Sequence, residues 1–312
     1  MDKNLKAFIC VAEAENLSMA AHALGLTQPS ITKRVHNLEA EVGSQLFERH
    51  RRGMTLTDTG KRFLLHAKRI EREFLQAREE IRSRENAGLD VLRIGAGPLF
   101  HLRYVATVFA MLNKEFPLLR LNLSTDTNEG NLPRLLAGEL DIVLGVIDYP
   151  ASDNGLCAYP MTTVEQGIIL KHEAVGDKLM LTSDAIEGIS WILYSDDKNN
   201  EDMLQRYFTD NSLGVPRIAV RTSSFTTGLH LVQSGGYAMI APVQLSPIVN
   251  AAGLNVVSVH PPLAKRSAGA FIRRSSMGFT AITRFLAILE KQISGIENES
   301  RTTGNVTTRH VD

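Results

Sequence analysis

Residues 20–42 read AAHALGLTQPSITKRVHNLEAEV, and the rest of the chain is legible from them. Ala20, Ala21 and Leu24 give a short helix a small apolar face, with Ser18 placed to cap its start. Gly25 ends that helix, because glycine enters the positive-φ region without a Cβ clash. Thr27 then caps a second helix, and Pro29 falls in its first turn, where backbone N–H groups lack helical partners anyway. Within this helix Ile31, Val35, Leu38 and Val42 follow the i, i+4, i+7, i+11 spacing of one buried stripe. The opposite face carries Pro29, Thr32, Lys33, His36 and Asn37, with Gln28 and Ser30 near its start. Two short helices about a glycine turn, the second presenting hydroxyl, amide and cationic groups, describe a helix-turn-helix with a recognition helix. A glycine turn and a polar outer face also occur in ordinary helical hairpins, so the flanking sequence decides between the two.

The flanks are basic and then heptad-patterned. After Gly43, Leu46 and Phe47 anchor a segment in which Arg49, His50, Arg51 and Arg52 run up to Gly53, and Met54-Thr55-Leu56 alternates like a short strand. This predicts a basic hairpin, a wing beside the recognition helix whose arginines meet phosphates or the minor groove. Upstream, Leu5, Phe8, Ile9 and Ala12 predict a first helix packed under the pair. Downstream, Thr57 caps a long charged helix in which Phe63, Ala67, Ile70, Phe74, Ala77 and Ile81 alternate steps of four and three. So narrow a stripe predicts pairing with a second copy, which also supplies the two-fold symmetry that paired DNA half-sites require. Glu85-Asn86-Ala87-Gly88 reads as the hinge that ends it.

Composition bounds what the remainder can be. At 312 residues the chain has the length of about two ordinary domains. A hydrophobic content of 44% and a charged content of 22% suit a globular protein with a full core. The net charge of +0 argues against bulk polyanion binding but leaves room for a local basic patch. Cys10 and Cys157 are far apart and form no CxxC pair, so neither a disulfide framework nor a metal site is expected. The first residues include acidic side chains and no long apolar run, and no stretch approaches the ~20 apolar residues of a membrane span; a cytoplasmic protein is expected.

From Leu89 the pattern changes to alternating strands and helices. Val91 to Gly95 predicts a strand, residues 104–114 a helix, residues 119–123 a strand, residues 131–138 a short helix, and Asp141 to Gly145 another buried strand. A second set begins near Val164 to Leu170 and includes residues 190–194, 217–220, the helix 226–234, and residues 238–241. Residues 268–272 then return as a strand and residues 279–293 as a closing helix, while the polar tail from Ile296 is expected to be disordered. The βαβ succession predicts a largely parallel sheet with helices on both faces. Two such lobes leave a cleft at the carboxyl ends of their strands, the usual seat of a small ligand.

Taken together, these segments resemble the LysR-type transcriptional regulators over nearly the full length. The resemblance rests on AAHALGLTQPSITKRVHNLEAEVGSQLFERHRRGMTLTDTG, on VLRIGAG, on LLAGELDIVLG, and on their order along the chain. It implies an N-terminal all-α winged helix-turn-helix plus long linker helix, and a C-terminal α/β two-lobed effector domain resembling periplasmic solute-binding proteins of type 2. The divisions expected are 1–58 for the winged helix, 59–88 for the dimerising helix and hinge, 89–295 for the effector domain, and 296–312 for the tail. Lobe 1 then comprises about 89–162 and 268–295, and lobe 2 about 163–267. Bacterial regulators of this kind bind an interrupted inverted repeat near a promoter and alter DNA bending when a small molecule enters the cleft. The partners implied are double-stranded DNA, a small-molecule effector, further copies of the chain as a dimer or tetramer, and RNA polymerase, with no membrane. No cofactor and no metal are implied.

Carried over residue by residue, the recognition positions fall on Gln28, Pro29, Thr32 and Lys33, with Ser30, Arg34 and His36 adjacent and Arg49, Arg51 and Arg52 on the wing. Gln28 suits adenine, and Lys33 suits guanine or a phosphate. The family commonly has Ser then Arg where this chain has Thr32 and Lys33, and Lys lacks the bidentate fork of Arg. The effector loops that match are residues 97–101, 124–128, 145–148, 195–197 and 222–226. They place Gly97, Pro98, Leu99, Phe100, His101, Thr125, Thr127, Asn128, Val146, Ser195, Asp196, Ser223, Ser224 and Phe225 at the cleft. Gly97-Pro98-Leu99-Phe100 lacks the hydroxyls many relatives carry there, which points to a more apolar effector or a shifted pose. Two rivals stand beside this reading: a solute-binding protein, and an α/β enzyme with a helical accessory domain. The first needs an export signal and no winged helix. The second needs a catalytic constellation, and no GxSxG, P-loop or HExxH pattern is present, while Phe100 stands where a dinucleotide fingerprint needs its third glycine.

Overall fold

In the computed structural model of this chain, residues 1–50, 53–84, 89–147, 155–175, 180–194 and 197–306 are described. The chain divides into two compact units, Met1–Ile81 and Arg82–Asp312.

The first unit opens with α1 (Lys3–Ala14), α2 (Leu17–Ala23) and α3 (Gln28–Val42). Asp2 caps α1, its carboxylate accepting from the backbone N–H groups of Asn4 at 2.8 Å and Leu5 at 2.9 Å, which lowers its pKa. Asn16, not Ser18, caps α2, accepting from Ser18 N at 2.8 Å and Met19 N at 3.2 Å. The amide side chain reaches two orphan donors at once, and Ser18 lies inside the helix instead. Gly25 makes the turn at φ +63°. Thr27 holds the cap position of α3 in extended backbone, but its hydroxyl makes no capping bond. Ile31, Val35 and Leu38 are buried as the spacing predicts, whereas Val42, on the last turn, is 37% exposed, because α3 outruns the core it packs on. That core gathers Leu5, Phe8, Ile9, Ala20, Ala21 and Leu46, with the Phe8 ring 5.3 Å from those of Phe47 and Phe63.

The wing is a two-stranded hairpin of β1 (Phe47–His50) and β2 (Gly53–Leu56), paired antiparallel from Phe47↔Leu56 to His50↔Gly53. Two contacts seat it. Glu39 on α3 accepts from the N–H groups of Leu46 at 2.9 Å and Phe47 at 3.1 Å, and Met54 N donates to the Glu15 carbonyl at 3.2 Å. The long helix α4 (Asp58–Arg84) begins under Thr57, whose hydroxyl accepts from Gly60 N at 2.9 Å and donates to Gln45 O at 2.9 Å. Gly60 lies so close to the wing root that a Cβ would press into the Leu46 carbonyl. Gly60→Ala is therefore expected to cost about 3 kcal/mol, the upper end of ordinary overpacking, read by calorimetry as a lower melting temperature of the N-terminal unit. Melting within error of the parent would show that α4 can back away from Leu46.

The predicted seam along α4 divides in two. Ala67 is fully buried and Phe63 is half-buried against the N-terminal core, so both pack within the winged helix itself. Farther along, Ile70, Phe74, Ala77 and Ile81 are exposed. The hinge at residues 85–88 lies outside the described residues.

The second unit is a mixed α/β structure. Its first half comprises β3 (Val91–Ala96), α5 (Pro98–Arg103), α6 (Val105–Glu115), β4 (Arg120–Thr125), α7 (Asn128–Leu136) and β5 (Ile142–Val146). The long strand β6 (Leu156–Lys171) leads through α8 (His172–Val175) and β7 (Met180–Thr182) into β8 (Ser190–Tyr194), α9 (Lys198–Asp210) and β9 (Arg217–Thr222). Then come α10 (Phe225–Ser234), β10 (Tyr237–Pro242), α11 (Ser246–Ala251), β11 (Leu254–His260), β12 (Lys265–Arg273) and α12 (Thr280–Val306). The strand order is β4-β3-β5-β12-β6-β10-β8-β9, with β11 against β6 and β7 against β11. Pairing is parallel within β4-β3-β5 and within β10-β8-β9, and antiparallel where β12 and β6 join the two halves. Two parallel half-sheets bridged by two crossing strands make the two lobes. The crossing strands also make the whole sheet mixed, not largely parallel.

Two elements depart from expectation. The helix α9 carries no counterpart in the sequence reading, although Met203, Leu204, Tyr207 and Phe208 form its buried stripe and Asp197 caps it, accepting from Asn200 N at 3.0 Å. The closing helix continues to Val306, past the expected end of order at residue 295. Once a helix is nucleated and docked, each added residue closes one more hydrogen bond without a second nucleation step, so a polar extension needs no apolar stripe. No helix among the described residues is long and apolar enough to cross a membrane.

Candidate functional site

The recognition face and the cleft are separate sites, one on each unit. On α3, Gln28, Pro29, Lys33 and His36 are exposed, while Ser30, Thr32 and Arg34 are half-buried. The Thr32 hydroxyl donates to the Gln28 carbonyl at 3.0 Å, which ties it to its own helix. At the wing, His50 Nε2 lies 3.0 Å from Thr55 Oγ1 and 3.6 Å from Glu48 Oε2. Arg51 and Arg52 lie outside the described residues, as does the side chain of Arg49, although its backbone belongs to β1. The register His50↔Gly53 leaves Arg51-Arg52 as the two residues that join the strands.

The cleft of the second unit holds a cavity of about 90 Å³. Its walls come from the carboxyl ends of β3, β5, β8 and β10, where the connections leave the sheets. One lobe contributes Gly97, Pro98, Leu99, Phe100, Thr127, Asn128, Glu129, Gly145 and Val146. The other contributes Tyr194, Asp197, Asn199, Asn200, Phe225, Ile240 and Pro242, and the crossing strands add Val164, Gln166, Arg266 and Ala268. Of the residues expected here, Gly97, Pro98, Leu99, Phe100, Thr127, Asn128, Val146 and Phe225 are thus brought together.

Four others are not. His101 sits on α5 outside the cavity, and burial alone pushes its imidazole pKa down. Thr125 makes a side-chain hydrogen bond to Tyr194, and Ser224 caps α10, accepting from Thr227 N at 3.2 Å. Ser223 lies in a neighbouring groove with Asp126 and Arg221. Matching loops at strand ends predict inward-facing side chains, but cross-lobe bonding engages Thr125 and capping engages Ser224 instead. Ser195, Asp196 and Asp148 lie outside the described residues.

The polar part of the cavity largely escapes the sequence reading, since it comes from α9 and from mid-strand positions of β6 and β12. Asn199 Nδ2 donates to Glu129 Oε1 at 2.8 Å, a bond from one lobe to the other. Arg266 Nη2 donates to the Asn199 carbonyl at 3.1 Å. Both oxygens of Asp197 accept from Asn200, from its N–H at 3.0 Å and its Nδ2 at 2.7 Å. Burial pushes the Asp197 carboxyl up to about 6, and the neighbouring Glu129 adds to the rise, while the Asn200 bonds and Arg266 oppose it. Arg103 on α5 donates to the Gln244 carbonyl, a second tie across the lobes. Among the described residues, no group of three or more His, Cys, Asp or Glu is placed to hold a metal ion.

Residues 3–61 match the family described as bacterial regulatory helix-turn-helix protein, lysR family, and residues 86–294 match the LysR substrate binding domain. The chain is 34% identical over 154 residues to the uncharacterized HTH-type transcriptional regulator YdcI of Escherichia coli K12, an alignment covering 49% of this chain and 50% of that protein. It is 22% identical over 289 residues to the uncharacterized regulator YbhD of the same organism, covering 92% and 90%. Among solved structures, CbnR, a LysR family transcriptional regulator, superposes with a TM-score of 0.60 at 21% identity, covering 94% of this chain and 99% of that one. Full-length CbnR complexed with its target DNA gives 0.61 at 21% identity, covering 94% and 100%. A full-length OxyR variant from Pseudomonas aeruginosa gives 0.62 at 19% identity, covering 93% of each. At these identities the structural likeness is one of fold.

Proposed function

The chain belongs to the LysR family of bacterial regulators, and from that premise we propose that α3 and the wing bind promoter DNA while the inter-lobe cavity binds the effector that controls it. The protein is a DNA-binding transcriptional regulator with a C-terminal effector-binding domain. The observation that carries the assignment of its DNA face is the exposure of Gln28, Lys33 and His36 along one side of α3, next to a hairpin whose strands are joined by Arg51-Arg52. Gln28 then suits an adenine edge, and Lys33 a guanine or a phosphate. We read the molecule as a cytoplasmic non-enzyme that assembles with copies of itself and meets RNA polymerase at the promoter.

The mechanism that follows is a change of lobe closure. Effector contacts at Glu129 on one lobe and Asn199 on the other bias closure, closure shifts the relative placement of the paired winged helices, and the DNA bend follows.

The test is a binding titration of the full chain against its own upstream DNA, at several salt concentrations, beside an unrelated fragment. Lys33→Ala and Arg51→Ala are each expected to weaken specific binding by about tenfold, as loss of about 1.4 kcal/mol does. If Lys33 meets a phosphate, the log–log salt slope also falls by about 1. Unchanged affinity in both variants, with helicity retained, would remove this face from the DNA interface.

A further inference from the structure

Resting on the effector-pocket reading above, we infer that the cavity selects an organic ammonium, a cationic N–H donor on a small apolar body, and rejects a carboxylate. The sign of the missing partner shows in the polar atoms. Gln166 is only 4% exposed, and its Oε1 is shut away from solvent and accepts no hydrogen bond. Asn200 also lines the cavity; donation from its Nδ2 to Asp197 fixes which side of the amide is oxygen, and that oxygen too is buried without a donor. The two residues that carry these orphan acceptors thus line one cavity with Glu129 and Asp197, their amide oxygens set just behind its wall. A buried acceptor left unpaired costs about 1–3 kcal/mol, so a ligand whose donors draw these amide oxygens round to the cavity wall recovers that cost on binding. An ammonium carries three donors and no acceptor, whereas a carboxylate carries acceptors only.

The charges agree in sign. Glu129 and Asp197 supply two carboxyl groups to the walls, and among the described lining residues Arg266 supplies the one cation. Arg266 donates to the Asn199 carbonyl and lies close enough to Asp197 to lower its pKa. A bound carboxylate would add a third acid to this set. The loop Gly97-Pro98-Leu99-Phe100 offers no side-chain hydroxyl for such a group, and Leu99, Phe100, Val164 and Phe225 suit an alkyl or aryl body.

Asp197 is faced by Glu129 from α7, Arg266 from β12 and Asn200 from the helix it caps. With its carboxyl held up at about 6 by burial, a cation beside it stabilises the ionised form and expels the proton. Ammonium affinity accordingly rises from about pH 5 to about pH 7, and a carboxylate would show the opposite slope.

The experiment is calorimetric titration of the full chain with isobutyl-, isopentyl- and benzylammonium, and with the carboxylates bearing the same three groups. At least one ammonium should saturate, bind at least about tenfold tighter than its carboxylate partner, and lose about tenfold or more in Glu129→Gln and in Asp197→Asn. Equal or tighter carboxylate binding, no saturation by any ammonium, or ammonium binding indifferent to both substitutions would each overturn the inference. Promoter binding is measured on the same preparations. If it persists while a carboxylate occupies the cleft, only the ligand class falls; if it is absent, the regulator reading falls with it.

Discussion

Replacing Arg273 with Met is expected to destabilise the α/β unit by about 3–5 kcal/mol, the range for removing one partner of a buried ion pair. Arg273 lies at the end of β12 and is buried, as is Asp141, with Nη2 3.3 Å from Asp141 Oδ1. Its Nη1 donates to the Leu135 carbonyl at 2.7 Å and also to the carbonyl of Leu140. One guanidinium thus ties together the carbonyl end of α7, the turn that follows and the acid that opens β5. Asp141 ties the other way as well, Oδ2 accepting from Arg93 N on β3 at 2.8 Å. Removing Arg273 takes the side-chain donor from the Leu140 carbonyl and leaves Asp141 with only the half-exposed Arg93 guanidinium, 3.7 Å away, as counter-charge, which is why the loss exceeds that of a surface pair. Trp191, the sole tryptophan and fully buried in the same unit, reports the unfolding directly by fluorescence in urea. Adding Asp141→Leu to Arg273→Met should recover part of the loss, since no unpaired charge then remains. A single-mutant midpoint equal to that of the parent would show that solvent reaches the pair.

That ion pair also marks where pattern in the sequence runs out. Asp141-Ile142-Val143-Leu144-Gly145 reads as a buried strand, and Ile142, Val143 and Leu144 are indeed fully buried in β5. Asp141 itself carries no pattern signal, because its partner is 132 residues away. Periodicity reports which face of an element meets apolar surroundings, not which polar group closes a contact across the fold. The same limit explains the cleft. Its rims at Gly97, Thr127, Asn128 and Phe225 are legible because strand ends and helix starts have local signatures. Gln166 and Arg266 are not, because each sits inside a strand whose neighbour is set by the long-range crossing of β6 and β12.

The winged helix is legible to a finer level, since most of its contacts are short in sequence. Ile31, Val35 and Leu38, the Gly25 turn and the Thr57 cap all follow from spacings of a few residues. What escapes is side-chain choice among near-equivalent caps, Asn16 over Ser18, and the carboxylate of Glu39 reaching forward to the wing root. Along α4 the heptad count runs across a boundary that spacing alone does not mark, where a helix stops serving its own core.

Across that boundary, residues with the same heptad spacing should fail in different ways. Phe74→Asp, or Ile70→Asp, should leave the chain folded and convert it to a monomer. Ile70 is 52% exposed, Phe74 40% and Ile81 58%, all on the seam of a helix whose other positions are densely charged. An aspartate there costs the folded monomer little, since the position already meets water, but it sets a charge into each half of a paired interface. Sedimentation equilibrium should show the loss of the dimer while far-UV dichroism stays at the parent value. Promoter affinity should fall by about a hundredfold or more, because two half-sites are then no longer engaged by one tethered pair. Ala67→Asp is the contrasting case. Ala67 is fully buried in the N-terminal core that also holds Phe63 and Phe8, so a charge there unfolds the winged helix before any question of pairing arises. If Phe74→Asp and Ile70→Asp both sediment as the parent does, the chain pairs through another surface, and the exposed stripe on α4 has some other occupant.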